Sequence, residues 1–145
     1  MDFQVIKGKD NLQKIVRQLS IWHNETPRLW LNNYEPSEED IQKSMDRMMS
    51  KECFVAVAKD TSLKGFLWAE PQERGVMILS LYVDPDARKQ QVATRLKEML
   101  EDWCQQEGIK KILTTVHATN DRMLALNDKM GYRRTMITME KDVSK

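Results

Sequence analysis

Hydrophobic and polar residues alternate at the start of the chain and then recur at helical spacing. The alternation over residues 3–7 predicts a short strand, and apolar positions three or four apart over 11–22 predict an amphipathic helix. A second helical pattern follows Ser37, and Asp40, three residues later, completes a capping box. The apolar face of this second helix consists of Ile41, Met45, Met48 and Met49.

The rest of the chain carries the patterns of both strands and helices. The predicted elements are strands over 53–59, 63–69 and 76–83, a helix over 93–107 that ends at Gly108, a strand over 109–118, a helix over 121–130 and a strand over 136–139. This order contains a strand–helix–strand crossover. We therefore expect the fold class α/β (α+β), with a mixed, mostly antiparallel central sheet flanked by helices, in a single domain of residues 1–145.

Composition argues against several classes of function. A chain of 145 residues with 41% hydrophobic content can bury one core, and its net charge of +1 gives no general attraction to nucleic acid or to an anionic membrane. No apolar run reaches the roughly 20 residues of a membrane span, and the first residues do not read as a signal peptide. Cys53 and Cys104 are expected to be reduced, which fits the cytoplasm. Neither cysteine clusters with His23 or His117, so no metal site is expected.

The stretch after the central strand carries the clearest chemistry. The strand ends at Asp84-Pro85-Asp86, and a basic loop leads into the long helix. Such a unit points backbone N–H groups and a helix N-terminus at one spot, which suits a phosphate. Side chains of Arg88, Lys89 and Arg95 add positive charge there. An ordinary solvated loop is the alternative reading.

Two blocks of residues, taken together, resemble the GNAT acetyltransferase superfamily. The first, Arg88 to Ala93, is similar to its acyl-CoA pyrophosphate loop, Gln/Arg-x-x-Gly-x-Gly/Ala, with Gln91 where glycine is usual. The second covers 120–132, where an Asn after a strand is followed by a helix that ends before Gly-Tyr; Asn127 stands where the family usually has a tyrosine. The resemblance covers 52–142. It implies a GNAT-like acyl-CoA N-acyltransferase fold, with acetyl-CoA as the acyl donor and no metal.

The resemblance also assigns residues to acetyl-CoA. Strand backbone around residues 81–83 would pair with the pantetheine arm, and N–H groups of 90–94 would meet the pyrophosphate. The full set is Leu81, Tyr82, Val83, Arg88, Lys89, Gln90, Gln91, Val92, Ala93, Thr94, Arg95, Asn120 and Asn127. Asn120 can also cap the helix that follows it. We expect Gln91 to weaken binding without abolishing it, on the view that the loop needs donors more than it needs a positive φ.

Proton transfer is the harder problem. A primary amine is neutral in only about one part in 2,500 at pH 7, a cost of roughly 4.6 kcal/mol, so amine acetylation gains from a base. Family members often place Glu where this chain has Ser80, which can only relay a proton. Glu70 is the predicted base, acting through a water held by Ser80, and Glu73 is the fallback; surface carboxylates are the alternative reading of both. Tyr82 is expected on the face opposite Ser80.

At the position of the family's tyrosine, Asn127 cannot protonate the departing CoA thiolate, so a water is expected to do so. Substrate contacts are expected from His23, Trp30 and Glu73, while Trp22 and Trp68 are expected in the core.

These observations lead to a primary function and one alternative. The first is an acetyl-CoA-dependent N-acetyltransferase that acts by direct attack on the primary amine of a small molecule, a lysine, or a peptide or protein N-terminus. The alternative is a non-catalytic acyl-CoA-binding regulatory module of the same fold. The expected partner is the amine substrate, with no nucleic acid and no membrane; a homodimer is compatible with both readings.

Overall fold

The strands and helices follow the predicted order as far as residue 113. The computed structural model describes residues 1–29 and 34–144. Its strands are β1 (Asp2–Val5), β2 (Phe54–Lys59), β3 (Leu63–Gln72), β4 (Gly75–Val83) and β5 (Ile112–Leu113). Its α-helices are α1 (Lys9–Gln13), α2 (Val16–Glu25), α3 (Glu38–Ser50), α4 (Val92–Glu107) and α5 (Asp121–Lys129), with short 3₁₀ helices at Thr26–Leu29 and Pro85–Gln90.

The described strands form one sheet in the order β1-β2-β3-β4-β5. The pairs β1–β2, β2–β3 and β3–β4 are antiparallel, and β4–β5 is parallel. Parallel neighbours need a crossover connection, and α4 supplies it. The predicted mixed, mostly antiparallel sheet flanked by helices is therefore confirmed.

Contacts group the chain into two units, Met1–Thr115 and Val116–Lys145. The first unit contains the whole sheet and the helices α1 to α4. The second contains α5 and the residues on either side of it. None of the helices in the described part of the chain is both long enough and apolar enough to cross a membrane.

Within the first unit, apolar side chains are buried on both faces of the sheet. On one face, Leu96 of α4 packs against the sheet. On the other face, Leu19 of α2 and Met48 of α3 pack in a cluster with Trp68 of β3. Because helices cover both faces, β2 is buried at every position from 54 to 58 and shows no polar alternation.

The predicted helix over 11–22 is in fact two helices, α1 and α2. The break falls at Ile15, whose φ of −123° and ψ of −7° are not helical. Leu12 and Leu19, on either side of the break, are buried in the same cluster, so the apolar residues of both helices face the same part of the core.

The capping box of α3 is confirmed, since the Asp40 N–H donates to Ser37 Oγ at 3.1 Å.

The two strands predicted after α4 differ most from the structure. Of 109–118 only Ile112 and Leu113 form a strand, and residues 136–139 form none. Met136 and Met139 are 83% and 88% exposed. Strand propensity is expressed only where a partner strand is available, and among the described residues β5 pairs with β4 alone.

Candidate functional site

One edge of β4 is open along most of its length. Strand β5 pairs with β4 only at Val76 and Met77, and no other strand in the described ranges pairs with that edge. Backbone groups of residues 78–83 that face this edge therefore have no ladder partner there. Pro85, which lacks an N–H, follows directly and prevents further pairing. The central strand thus offers a short free edge that ends at the loop before α4.

A bulge interrupts β4 in the middle of this open stretch. Trp68 of β3 lies opposite Ser80, whereas Ala69 lies opposite Ile78, so Leu79 is an extra residue. Bulges re-aim side chains and occur next to active sites. Ser80 shares a face with Trp68, its cross-strand neighbour.

Tyr82 lies on that same face, so its expected position opposite Ser80 is wrong. Side chains two residues apart on a strand point to the same side of the sheet. Tyr82 pairs with Phe66 of β3, and this pair lies two residues along the strands from the Trp68–Ser80 pair. Its ring stacks on Trp22 of α2, with centroids 4.6 Å apart. Burial, followed by the charge of Asp84, raises the pKa of the Tyr82 phenol.

The loop before α4 turns through a left-handed residue. Gln91 has a φ of 57° and a ψ of 31° and serves as the N-cap of α4. Among the described residues no side chain caps this helix. The Arg95 N–H donates to the Gln91 carbonyl, while those of Val92, Ala93 and Thr94 have no intrahelical acceptor. The loop therefore does adopt a positive φ at Gln91, which gives the family glycine a conformational reason; the expectation that donors matter more than this φ stays a prediction.

Hydrogen bonds fasten this loop to the sheet. The Asp84 N–H donates to the backbone oxygen of Lys64 at 2.7 Å, and the Asp84 carboxylate accepts from the Asp86 N–H at 3.2 Å. Lys64 Nζ lies 2.9 Å from Asp86 Oδ2, and this hydrogen bond lowers the pKa of the Asp86 carboxyl. Arg88 Nε donates to the Val83 carbonyl at 3.0 Å. The turn into α4 is thus held in place before any ligand binds.

Glu70, the predicted base, is held in an ion pair. Its side chain is 6% exposed, and its two carboxylate oxygens accept from Arg47 Nε at 2.9 Å and Arg47 Nη2 at 3.0 Å. Lys51 Nζ lies 3.6 Å from the same carboxylate. The hydrogen bonds from Arg47 are the main reason that the pKa of Glu70 lies below its usual value. Glu70 is therefore ionised, but its lone pairs are directed at a guanidinium.

Arg47 was missed by sequence reasoning. It stands on the second helix with no motif around it. The only clue is indirect, because a carboxylate on an otherwise apolar strand needs a cation once it is buried. Helical spacing alone does not say which of the basic residues on α3 reaches Glu70.

His23 lies beside the Trp68–Ser80 pair. Its ring meets Trp68 edge to face, with centroids 5.1 Å apart. Burial and then the positive charge of Arg47 lower the pKa of the imidazole. His23 is therefore neutral at pH 7 and has a lone pair that can accept a proton.

Among the described residues, Glu73 is not brought to Ser80. Glu73 lies in the exposed turn between β3 and β4, more than about 15 Å along the strand from Ser80. Trp30 and the side chain of Lys89 lie outside the described residues. Gln90 ends the 3₁₀ helix of the loop.

Asn120 and Asn127 belong to the second unit. The Asn120 side chain accepts from the Met123 N–H at 3.2 Å, which confirms its role as the cap of α5. Asn127 is buried, and its backbone oxygen accepts from the Tyr132 N–H at 2.9 Å. Within the described part of the chain, Asn127 Oδ1 has no hydrogen-bond partner.

The described residues contain no group of three His, Cys, Asp or Glu side chains that could hold a metal ion. Both cysteines are free thiols, as expected; Cys104 is buried and Cys53 is partly buried. Burial raises the pKa of each thiol.

Comparison with known proteins identifies a family for this sequence. The model of the acetyltransferase (GNAT) family matches residues 17–132. A curated relative from Xenopus laevis, "Probable N-acetyltransferase camello", is 24% identical over 103 residues, which are 69% of this chain and 47% of the relative. The chain thus spans about half the length of that relative.

Two solved structures have the same fold. A Staphylococcus aureus protein assigned to the GNAT family is 24% identical, with a TM-score of 0.68 over 79% of this chain and 100% of the other. AAC(6')-Iy, solved with the bisubstrate analogue CoA-S-monomethyl-acetylneamine, is 12% identical, with a TM-score of 0.72 over 100% of both chains. At these identities the two structures support the fold alone. Because the family match covers most of the sequence, the chain belongs to the GNAT acetyltransferase family.

Proposed function

We propose that this protein transfers an acetyl group from acetyl-CoA to a primary amine. Family membership supports acetyl transfer in general. One observation in the fold supports the donor: left-handed Gln91 opens α4 without a side-chain cap among the described residues, directly after the open edge of β4. Uncapped N–H groups at a helix N-terminus form an anion site that suits a pyrophosphate.

The residues of the first unit fit acetyl-CoA. The N–H groups of Val92, Ala93 and Thr94 would donate to the pyrophosphate, with convergent charge-assisted hydrogen bonds of ~1.5–3 kcal/mol each. The free edge at Leu81 would take the amide-containing arm of CoA. The Val83 carbonyl already accepts from Arg88, so strand pairing with that arm would have to end before it. Bound acetyl-CoA would supply a thioester as the acyl donor.

Transfer joins the amine nitrogen to the acetyl carbon and breaks the thioester C–S bond, so the amine must lose a proton. His23 is the stronger candidate to receive it, because its imidazole is neutral and lies against Trp68, the cross-strand partner of Ser80. Glu70 reaches the same face, but both of its oxygens hold Arg47. We infer that Ser80 relays a proton through water to His23 and that Glu70 orients Arg47.

The departing thiolate is a modest base, since a thiol has a pKa of about 8.5. Water can therefore protonate it without a tyrosine at position 127. The role of Asn127, which belongs to the second unit, stays a prediction of the sequence.

The bidentate Arg47–Glu70 pair also favours a second candidate, a non-catalytic acyl-CoA-binding module, because the pair removes a free carboxylate base. Two measurements on the full chain separate the candidates. Calorimetry tests saturable binding of acetyl-CoA, and release of the CoA thiol in the presence of a broad amine panel tests transfer. Binding with no transfer to any amine selects the module, and no binding at millimolar acetyl-CoA excludes both candidates.

The cytoplasmic location, the single domain and a homodimer stay predictions of the sequence.

A further inference from the structure

The face that holds His23, Trp68 and Ser80 has a strongly basic end. Arg47 and Lys51 pair there with the carboxylate of Glu70, and Lys9 Nζ donates to the Lys51 carbonyl at 3.1 Å. We call these four residues the basic cluster. Two cations therefore share the one buried carboxylate, and a third is held next to them.

Glu70 fixes the orientation of Arg47 but does not occupy all of its N–H donors. The carboxylate is almost fully buried, while the side chains of Arg47 and Lys51 are 45% and 57% exposed. Two guanidinium nitrogens, Nε and Nη2, donate to Glu70, so further N–H groups of Arg47 remain at its outer edge. An orientated guanidinium matches the planar geometry of a carboxylate ligand.

The basic cluster lies within reach of the reaction centre. Glu70 is two residues from Trp68 on β3, about 7 Å along the strand, and Trp68 faces Ser80. At the other end of the face, burial and then the charge of Asp84 raise the pKa of Tyr82, while Arg88 opposes the shift. An acceptor with its amine at Ser80 would present a neighbouring carboxylate towards Arg47.

We propose that the basic cluster binds a carboxylate carried by the acceptor, so that the substrate is an amino acid or a similar zwitterionic amine and not a polycationic amino sugar. This inference rests on the proposed transfer of acetyl to an amine. It departs from the neamine-based ligand of AAC(6')-Iy, since the partly exposed Arg47 and Lys51 outnumber the one carboxylate they share and would repel a polycation.

The test compares acceptors that differ only in the carboxylate. Leucine, phenylalanine and methionine are each measured against their own amide, with neamine as the polycation, at saturating acetyl-CoA. A carboxylate raises the pKa of the neighbouring amine, so intrinsic reactivity favours the amides. We expect kcat/KM to favour the acids by roughly 10-fold to 100-fold, the range of one charge-assisted hydrogen bond.

Variants assign the preference to the basic cluster. Lys51→Glu should raise KM for the acids roughly 10-fold or more and leave kcat within about 2-fold, because the charge acts on binding. The matched control is Lys43→Glu, an equal charge change on the outer side of α3, where Lys43 pairs with Glu39; it should change neither constant. The double variant Arg47→Gln with Glu70→Gln leaves no unpaired buried charge and should reduce the preference in a folded protein, because the orientated guanidinium is lost while Lys51 remains.

Equal use of acids and amides, or a preference for amides or neamine, would overturn this inference and leave acetyl transfer standing. Failure to acetylate any amine by protein that binds acetyl-CoA would remove the proposed function and the inference together.

Discussion

Arg88 donates from Nε to the backbone oxygen of Val83 at 3.0 Å and so ties the loop before α4 to the last residue of β4. Arg88 lies in the 3₁₀ helix that leads into the uncapped start of α4. The same carbonyl is the last acceptor on the open edge of the strand. Arg88 therefore joins the two parts of the proposed acetyl-CoA site.

The first prediction follows from this position. Arg88→Glu should weaken acetyl-CoA binding by roughly 10-fold to 100-fold, since a cation near the pyrophosphate becomes an anion. Calorimetry at two salt concentrations measures the effect, which should shrink at high salt. Arg74→Glu, in the turn at the other end of β4, is the matched control and should bind as the wild type does. Wild-type affinity in Arg88→Glu would remove Arg88 from the site.

The second prediction concerns the left-handed Gln91. Side chains other than glycine cost about 1–2 kcal/mol in this conformation, so Gly at position 91 should be more stable than Ala at 91 by about 1 kcal/mol. At the exposed, mid-helix position of Glu98 the order should reverse by a similar amount, because Ala favours helix over Gly. Urea denaturation of the four variants measures both differences. Ala more stable than Gly at position 91 would contradict the left-handed assignment.

Gln91→Gly should also keep or improve affinity for acetyl-CoA. Glycine allows the ligand a closer approach to the backbone and keeps the N–H groups that follow. Affinity lost in Gln91→Gly would show that the glutamine side chain itself contacts the ligand.

The sequence predicted the sheet and the turn into the long helix because both depend on local signals. A few neighbouring residues are enough to show the alternation of apolar and polar positions in a strand. The same holds for the end of β4 at Asp84-Pro85 and for the start of the helix that follows. The positive φ at Gln91 was not foreseen, although the glycine of the family at that position pointed to it. Gln91 differs from the glycine of the motif but adopts the left-handed conformation that glycine favours.

Long-range pairing set the limit of sequence reasoning. The Arg47–Glu70 pair joins residues 23 apart in sequence, and the residues around each of them do not indicate its partner. The bulge at Leu79 depends on the register between β3 and β4, which periodicity does not fix. The strand over 136–139 failed for the same reason, since β propensity needs an edge to pair with.

The third prediction uses the buried Lys97 of α4, which is 1% exposed. Burial lowers its pKa from 10.5 to about 8, although Glu101 opposes the shift. The folded state therefore binds fewer protons than the unfolded state between about pH 8 and pH 10.5, so Lys97 makes stability rise with pH across that window.

Lys97→Met should remove this rise and stabilise the protein at pH 7 by an amount on the order of 1–3 kcal/mol. Urea denaturation at pH 7 and pH 10 measures both effects. Lys110→Met, at an exposed position, is the control and should keep the wild-type dependence on pH. The same pH dependence in Lys97→Met as in the wild type would show that the lysine stays charged in the fold.

The last prediction is the proton acceptor. A lowered pKa keeps His23 neutral at pH 7, so the acid limb of kcat should lie below pH 6.5, the ordinary value for histidine. His23→Gln should depress kcat by roughly 10²–10⁴-fold, with partial recovery at high pH, where more of the amine arrives neutral. Affinity for acetyl-CoA should not change.

Arg47 offers a second readout that a merely structural histidine would not give. Its charge is the second cause of the lowered pKa, after burial, so removing it should raise the acid limb part of the way towards pH 6.5. The variant Arg47→Gln with Glu70→Gln removes that charge without leaving a buried carboxylate unpaired. A raised limb in this variant, together with its loss in His23→Gln, would identify the imidazole as the titrating group. An unchanged limb in His23→Gln would instead return the role to a water relayed by Ser80 towards Glu70.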